Sequence, residues 1–262
     1  MKFIMGVRLM SNINSFIEKH CRLVLFLALF QMIPCLSSSA IAAVVNGNFV
    51  YVQEGDGSLL QYHVHDVDYQ GVAAWRISWD HEQLRAEHYV RRSDGMPLYV
   101  KRTNHALKHT VEITYSQNAD KPCIYRMRSK NVYIERKIWD TKLRDLGAMP
   151  QLLLGLGKDS PKEGILFSVI NYADGKVYKL IAKQVGHRRV KTAEGSVRCA
   201  IYDVKLDSWM STFVKTTRLI IPLQAENNNF VSYDGPGLDG VAESWTLLLV
   251  GKDRPVALLN KE

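Results

Sequence analysis

The segment 165–206, ILFSVINYADGKVYKLIAKQVGHRRVKTAEGSVRCAIYDVKL, limits what this chain can fold into more than any other stretch. Tyr178, Leu180 and Ala182 alternate with Lys179 and Lys183, and Tyr202, Val204 and Leu206 alternate with Asp203, Lys205 and Asp207. A period of two places successive side chains on opposite faces of a strand, so each strand has one covered face and one wet face. Ala173-Asp174-Gly175 and Ala193-Glu194-Gly195 supply the intervening turns, where glycine accepts the positive φ of a tight connection. Three consecutive strands are expected here.

The same rhythm runs through most of the chain. Ala73, Trp75, Ile77 and Trp79 share one face of GVAAWRISWD. Leu84, Ala86 and Val90 oppose Arg85, Glu87 and Arg91, and Val111, Ile113 and Tyr115 oppose Glu112 and Thr114. Turn signals recur about every 8–12 residues, the spacing of an all-β barrel or sandwich. One segment departs from the pattern: Leu143–Gly157 clusters leucines without alternation. Met149 to Leu156 reads as a short helix, with Pro150 tolerated in its first turn and Gly157 ending it. The fold expected from this pattern is all-β and mostly antiparallel, a barrel or sandwich of ten or more strands with one short helix.

The start of the chain reads differently. Lys2, Arg8, Lys19 and Arg22 precede the apolar run Leu23–Cys35, and small residues follow to Ala40-Ile41-Ala42. A basic start, a short apolar core and an Ala-x-Ala end make a secretory signal peptide, cleaved near Ala42. The run is too short for a membrane-spanning helix, which needs about 20 apolar residues. Residues 43–262 are then expected to form a single exported domain. The whole chain has 34 basic and 26 acidic side chains; four basic residues and one acid precede Ala43, which leaves a charge of about +5. Those charges are scattered along strands, whereas nucleic-acid binding gathers them on one face, so no nucleic-acid partner is expected. Of four cysteines, Cys123 and Cys199 remain after cleavage. An even pair in an oxidising compartment is a disulfide candidate; two buried thiols that never meet are the alternative.

Motifs with a specific chemistry are weak. Gly235-Pro236-Gly237-Leu238-Asp239-Gly240 matches the dinucleotide-binding spacing, but a strand-like segment follows it where that site needs a helix. GLGKDS at 155–160 lacks the residues of a phosphate loop. His63 and His65 share a strand face and would need a third ligand, with His81 or His88 as candidates, to hold a metal. No metal site, cofactor or catalytic residue is assigned. Among the aromatic residues on inward faces, Trp75, Trp79, Tyr178 and Tyr202 are the candidate ligand-binding set, as the lining of an apolar cavity in a curved sheet; the bland reading is plain core packing.

NYADGKVYKL, VGHRRVKTAEGSVRCAIYDVKL and LIIP resemble segments of an uncharacterised family of bacterial periplasmic β-proteins, a domain of unknown function. Gly186, Val190, Thr192, Gly195, Tyr202 and Val204 take the family's turn and face positions, and Pro222 stands near the end of the next strand. SDGMPLYVKR resembles an earlier segment of the same pattern, whereas AENNNFVSYDGPG is longer than the pattern predicts. The resemblance implies location in the periplasm and a fold similar to the unclosed barrel of the periplasmic lipoprotein carriers, an all-β, mostly antiparallel half-barrel with the short helix over its concave side; it brings no catalytic residues. It implies a non-enzymatic envelope protein that binds a lipid or other apolar ligand. An envelope enzyme acting on glycan or lipid, and a structural partner of an outer-membrane complex, are the alternatives.

Overall fold

A computed structural model describes residues 46–140, 142–156, 161, 163–192, 195–212, 214–223, 229–236 and 244–252. Residues 1–45, on which the expected signal peptide falls, most of the Ala193-Glu194-Gly195 turn, Gly157–Ser160 and Gly237–Gly240 lie outside the described residues. Among the described residues, fifteen strands form one sheet. The first eight are β1 (Gly47–Gln53), β2 (Leu59–Tyr69), β3 (Val72–Asp80), β4 (Leu84–Arg91), β5 (Pro97–Asn104), β6 (His109–Thr114), β7 (Cys123–Ser129) and β8 (Val132–Ile138). They pair in sequence order as an antiparallel meander. The rest are β9 (Leu143–Arg144), β10 (Ile165–Ile170), β11 (Val177–Thr192), β12 (Gly195–Leu206), β13 (Thr217–Pro222), β14 (Ser232–Pro236) and β15 (Ser244–Lys252). They form a second meander, and β15 pairs with β1 to join the two halves. Of these strands, the short β9 alone runs parallel to its neighbour, β10.

The sheet is unclosed, with β8 at one edge and β9 at the other. Yet only four residues separate the end of β8 from the start of β9. Fifteen strands laid flat would span roughly 65 Å at about 4.8 Å per strand, whereas that link reaches about 18 Å at most. The sheet therefore has to curl until its two edges approach each other. Side chains, rather than strand pairing, make the contact. The Tyr125 hydroxyl on β7 donates to the Tyr172 carbonyl just after β10, at 2.8 Å. Gly175, at φ +68 in the β10–β11 turn, lies so close that a Cβ there would overlap the Tyr125 ring.

The expected alternation is realised. Trp75, Ile77 and Trp79 are buried on the concave face, as are Leu180, Ala182, Tyr202 and Val204. The expected helix is α1 (Met149–Leu156), which contributes Met149, Leu153 and Leu154 to the same core. A 3-10 turn, Leu146–Ala148, leads into it and is capped by the Asp145 side chain.

Of the two readings of the cysteine pair, the structure has the one in which the thiols do not meet. Cys123 and Cys199 are both free and buried. Cys123 packs on the concave face with Tyr125 and Met127, and its sulfur accepts from the Ser116 amide at 3.2 Å. Cys199 lies on the opposite face of the sheet in a small cluster with Ile220 and Val231. A disulfide needs Cα atoms within about 7 Å and converging Cβ vectors, and two residues on opposite faces of different strands do not offer that.

Candidate functional site

The concave face holds a cavity of about 370 Å³ between the sheet and the α1 segment. β2 supplies Leu60 and Tyr62, β12 supplies Val204 and Leu206, and β13 supplies Leu219. Met149 and Pro150 cover it from the start of the helix, and Phe230 closes one side. Phe230 is held there by stacking on Tyr51, with ring centroids 4.3 Å apart, while the Tyr51 hydroxyl donates to the Phe230 carbonyl at 2.7 Å. Gln151 of α1 is buried and donates to the Tyr62 hydroxyl at 2.5 Å, which ties the helix to the sheet across the interior. Leu146 and Val214 are partly exposed at the rim, where Lys205 and Lys215 also lie. Lys215 pairs with Asp234 at 2.7 Å.

Two of the four expected lining residues are brought together and two are not. Trp79 and Tyr178 lie in the cavity wall. Trp75 and Tyr202 are buried in the core outside it. Trp75 sits four residues before Trp79 on the same face, but the cavity reaches only one end of β3.

A polar group lies at the Trp79 end. Arg102 on β5 is 3% exposed and forms part of the cavity wall. Its guanidinium carbon lies 4.2 Å from the Tyr172 ring centroid and 5.3 Å from that of Trp79. All three of its guanidinium nitrogens are buried without a hydrogen-bond partner among the described residues. Tyr172 is fixed from below: its hydroxyl donates to Asp145 and accepts from the Gly147 amide at 2.8 Å. Asp145 also binds His88 Nδ1 at 2.6 Å, and both side chains are almost wholly buried. The His88 ring fills the place where Gly147 would carry a Cβ, so the 3-10 turn passes over the imidazole only because residue 147 is glycine. Burial works against the charge on Asp145, but His88, Tyr172 and Arg102 outweigh it and hold the carboxyl below its ordinary range. Burial and the Asp145 charge push the Tyr172 hydroxyl well above its ordinary range, so it remains a donor.

Sequence reasoning missed Arg102, Asp145 and Tyr172. Period two in MPLYVKRTN puts Arg102 on the face of Leu98 and Val100, and an inward charge was the available signal. His88 likewise falls on the face of Leu84, Ala86 and Val90.

The histidine cluster does not form a metal site. His63 and His65 stack on the other face of the sheet, with ring centroids 6.2 Å apart, and His63 Nδ1 meets Asn48 Oδ1 at 2.6 Å. Burial and His65 hold the His63 pKa below its ordinary value. His81 Nε2 lies 3.1 Å from the Ser58 hydroxyl, and His88 is committed to Asp145. Among the described residues, no three His, Cys, Asp or Glu side chains converge as metal ligands.

No family model and no curated protein matches this chain. The chemistry of the cavity therefore rests on its own residues.

Proposed function

We propose that this is an exported, non-enzymatic protein that holds an apolar, single-chain ligand on the concave face of its half-barrel. The observation that supports this reading is the cavity itself. Its volume lies at the lower end of the roughly 300–1,000 Å³ typical of small-molecule sites. Leucine, valine, methionine and aromatic side chains dominate its wall. A sheet that curls only far enough to bring its edges near each other leaves space on its concave face, and one short helix does not fill it. Each methylene moved from water into such a space contributes about 0.8 kcal/mol. The volume suits one acyl chain rather than a whole two-chain phospholipid.

The His88–Asp145 pair is the feature that an enzymatic reading would use. His88 is absent from the cavity wall and its Nε2 is buried without a partner among the described residues, so the imidazole does not meet a bound molecule there. The pair instead orients Tyr172.

Decanol titrated calorimetrically into protein lacking residues 1–42 tests the cavity. Saturable one-to-one binding is expected, with a negative heat-capacity change from apolar burial. Leu206→Phe, which adds bulk to the wall, should weaken it at least tenfold. No binding to the original protein would remove the basis of the reading. Export is tested separately by sequencing the N-terminus of secreted material. A start at Ala43 or Val44 is expected, and a product retaining Leu23–Cys35 would contradict it.

A further inference from the structure

We infer that the ligand carries a carboxylate, and that Arg102 receives it at the Trp79 end of the cavity. This inference rests on the cavity reading above and names the ligand's chemical class. Arg102 is the observation that carries it. A guanidinium keeps its charge in proteins and presents five N–H donors in a planar fork. Here the residue is only 3% exposed, and no guanidinium nitrogen has a hydrogen-bond partner among the described residues. Burial of a charge without a paired group is strongly unfavourable, and is normally found only where something completes the set.

What surrounds Arg102 explains how it stays inside and what it lacks. Tyr172 and Trp79 present ring faces to the guanidinium, and their quadrupoles favour a cation. Rings offer no in-plane acceptor, so the edge donors remain unused. Asp145, the buried carboxylate that Arg102 acts on electrostatically, is occupied by His88, Tyr172 and the Gly147 amide, and makes no ion pair with Arg102. The arrangement is built rather than incidental. Asp145 orients Tyr172, Tyr172 seats the guanidinium, and Arg102 is one of the residues around an otherwise apolar space, its donors buried just behind the surface of that space. A carboxylate is planar and matches the fork with two parallel hydrogen bonds. An acyl tail extending from it would run along Leu60, Val204 and Leu219. A fatty carboxylate therefore satisfies both ends of the cavity, whereas a neutral alcohol or hydrocarbon satisfies only one.

Decanoate and decanol, which share a chain length, are compared at pH 8 by calorimetry on the same protein. Decanoate should bind about 10- to 100-fold more tightly, the range of a charge-assisted hydrogen-bond pair. Arg102→Met should remove that preference and leave decanol affinity within about threefold. Lys205→Gln, which alters the exposed lysine at the rim, should leave the preference intact. Arg102→Lys keeps the charge without the fork and should fall between. A second readout follows decanoate labelled with 13C at the carboxyl. Its pKa when bound should be depressed in the original protein and return towards that of free decanoate in Arg102→Met. Equal affinity for decanoate and decanol in the original protein would overturn the inference and leave the cavity reading standing. Loss of the preference in Lys205→Gln with its retention in Arg102→Met would also overturn it. Failure of both molecules to bind the original protein would overturn the two readings together.

Discussion

The concave face has two regions built from the same strand alternation with opposite results. Under β5–β7, where the sheet's ends meet, Ile113, Tyr125 and Met127 pack against Leu143, Ile170 and Tyr172 in one filled cluster. Under β2, β12 and β13, equally apolar side chains line open space. Composition does not separate the two. Position in the sheet does: where its ends meet, the opposing side chains pack into one cluster, whereas between β2 and β12–β13 the helix leaves space beside it. Arg102 and the Asp145 network stand on the border, with Tyr172 belonging to the filled cluster and its ring to the cavity wall.

The largest effect expected is at that border. Asp145→Ala leaves His88 Nδ1 and the Tyr172 hydroxyl buried without their acceptor, and should destabilise the domain by about 3–5 kcal/mol in urea unfolding. Asp145 also predicts an acid dependence. Its folded-state pKa is depressed, so its contribution is present above the unfolded carboxyl value and is lost as pH falls through the folded one. The original protein should lose stability below about pH 4, and Asp145→Asn should flatten that limb. An unaltered limb would show that the network contributes little.

Truncations then test the contrast directly. Ile113→Ala, in the filled region, should cost about 4 kcal/mol, because its rigid surroundings keep the void it leaves. Leu180→Ala, in the cavity wall, should cost about 2 kcal/mol, since the space it opens merges with one already present. Equal losses at the two positions would mean that the walls differ less than their packing suggests. Added decanol should stabilise the original protein by mass action and should do so less for a variant that fills the cavity.

Much of the fold was legible from the sequence because period two is a property of the strand backbone alone. It marked the concave faces of β3, β11 and β12, and the missing alternation at Met149–Leu156 marked the helix. The same rule also turned Arg102 and His88 inward, and an arginine in step with Leu98 and Val100 stands plainly in the residue order. Its meaning does not. Asp145 lies 57 residues from His88, and no local spacing encodes that meeting.

What tertiary structure alone decided is how far the sheet curls. Curl accumulates over fourteen strand pairings and is set by their summed twist, the bulges at Val50/Tyr51, Tyr89/Val90 and Gln184/Gly186, and the four-residue link between edges. That sum placed Trp79 in the cavity wall and Trp75 outside it, although the two look alike in sequence. It also carried Cys123 and Cys199 to opposite faces of the sheet. A strand's alternation says which way a side chain points; only the closed-in geometry of the whole sheet says what it meets there.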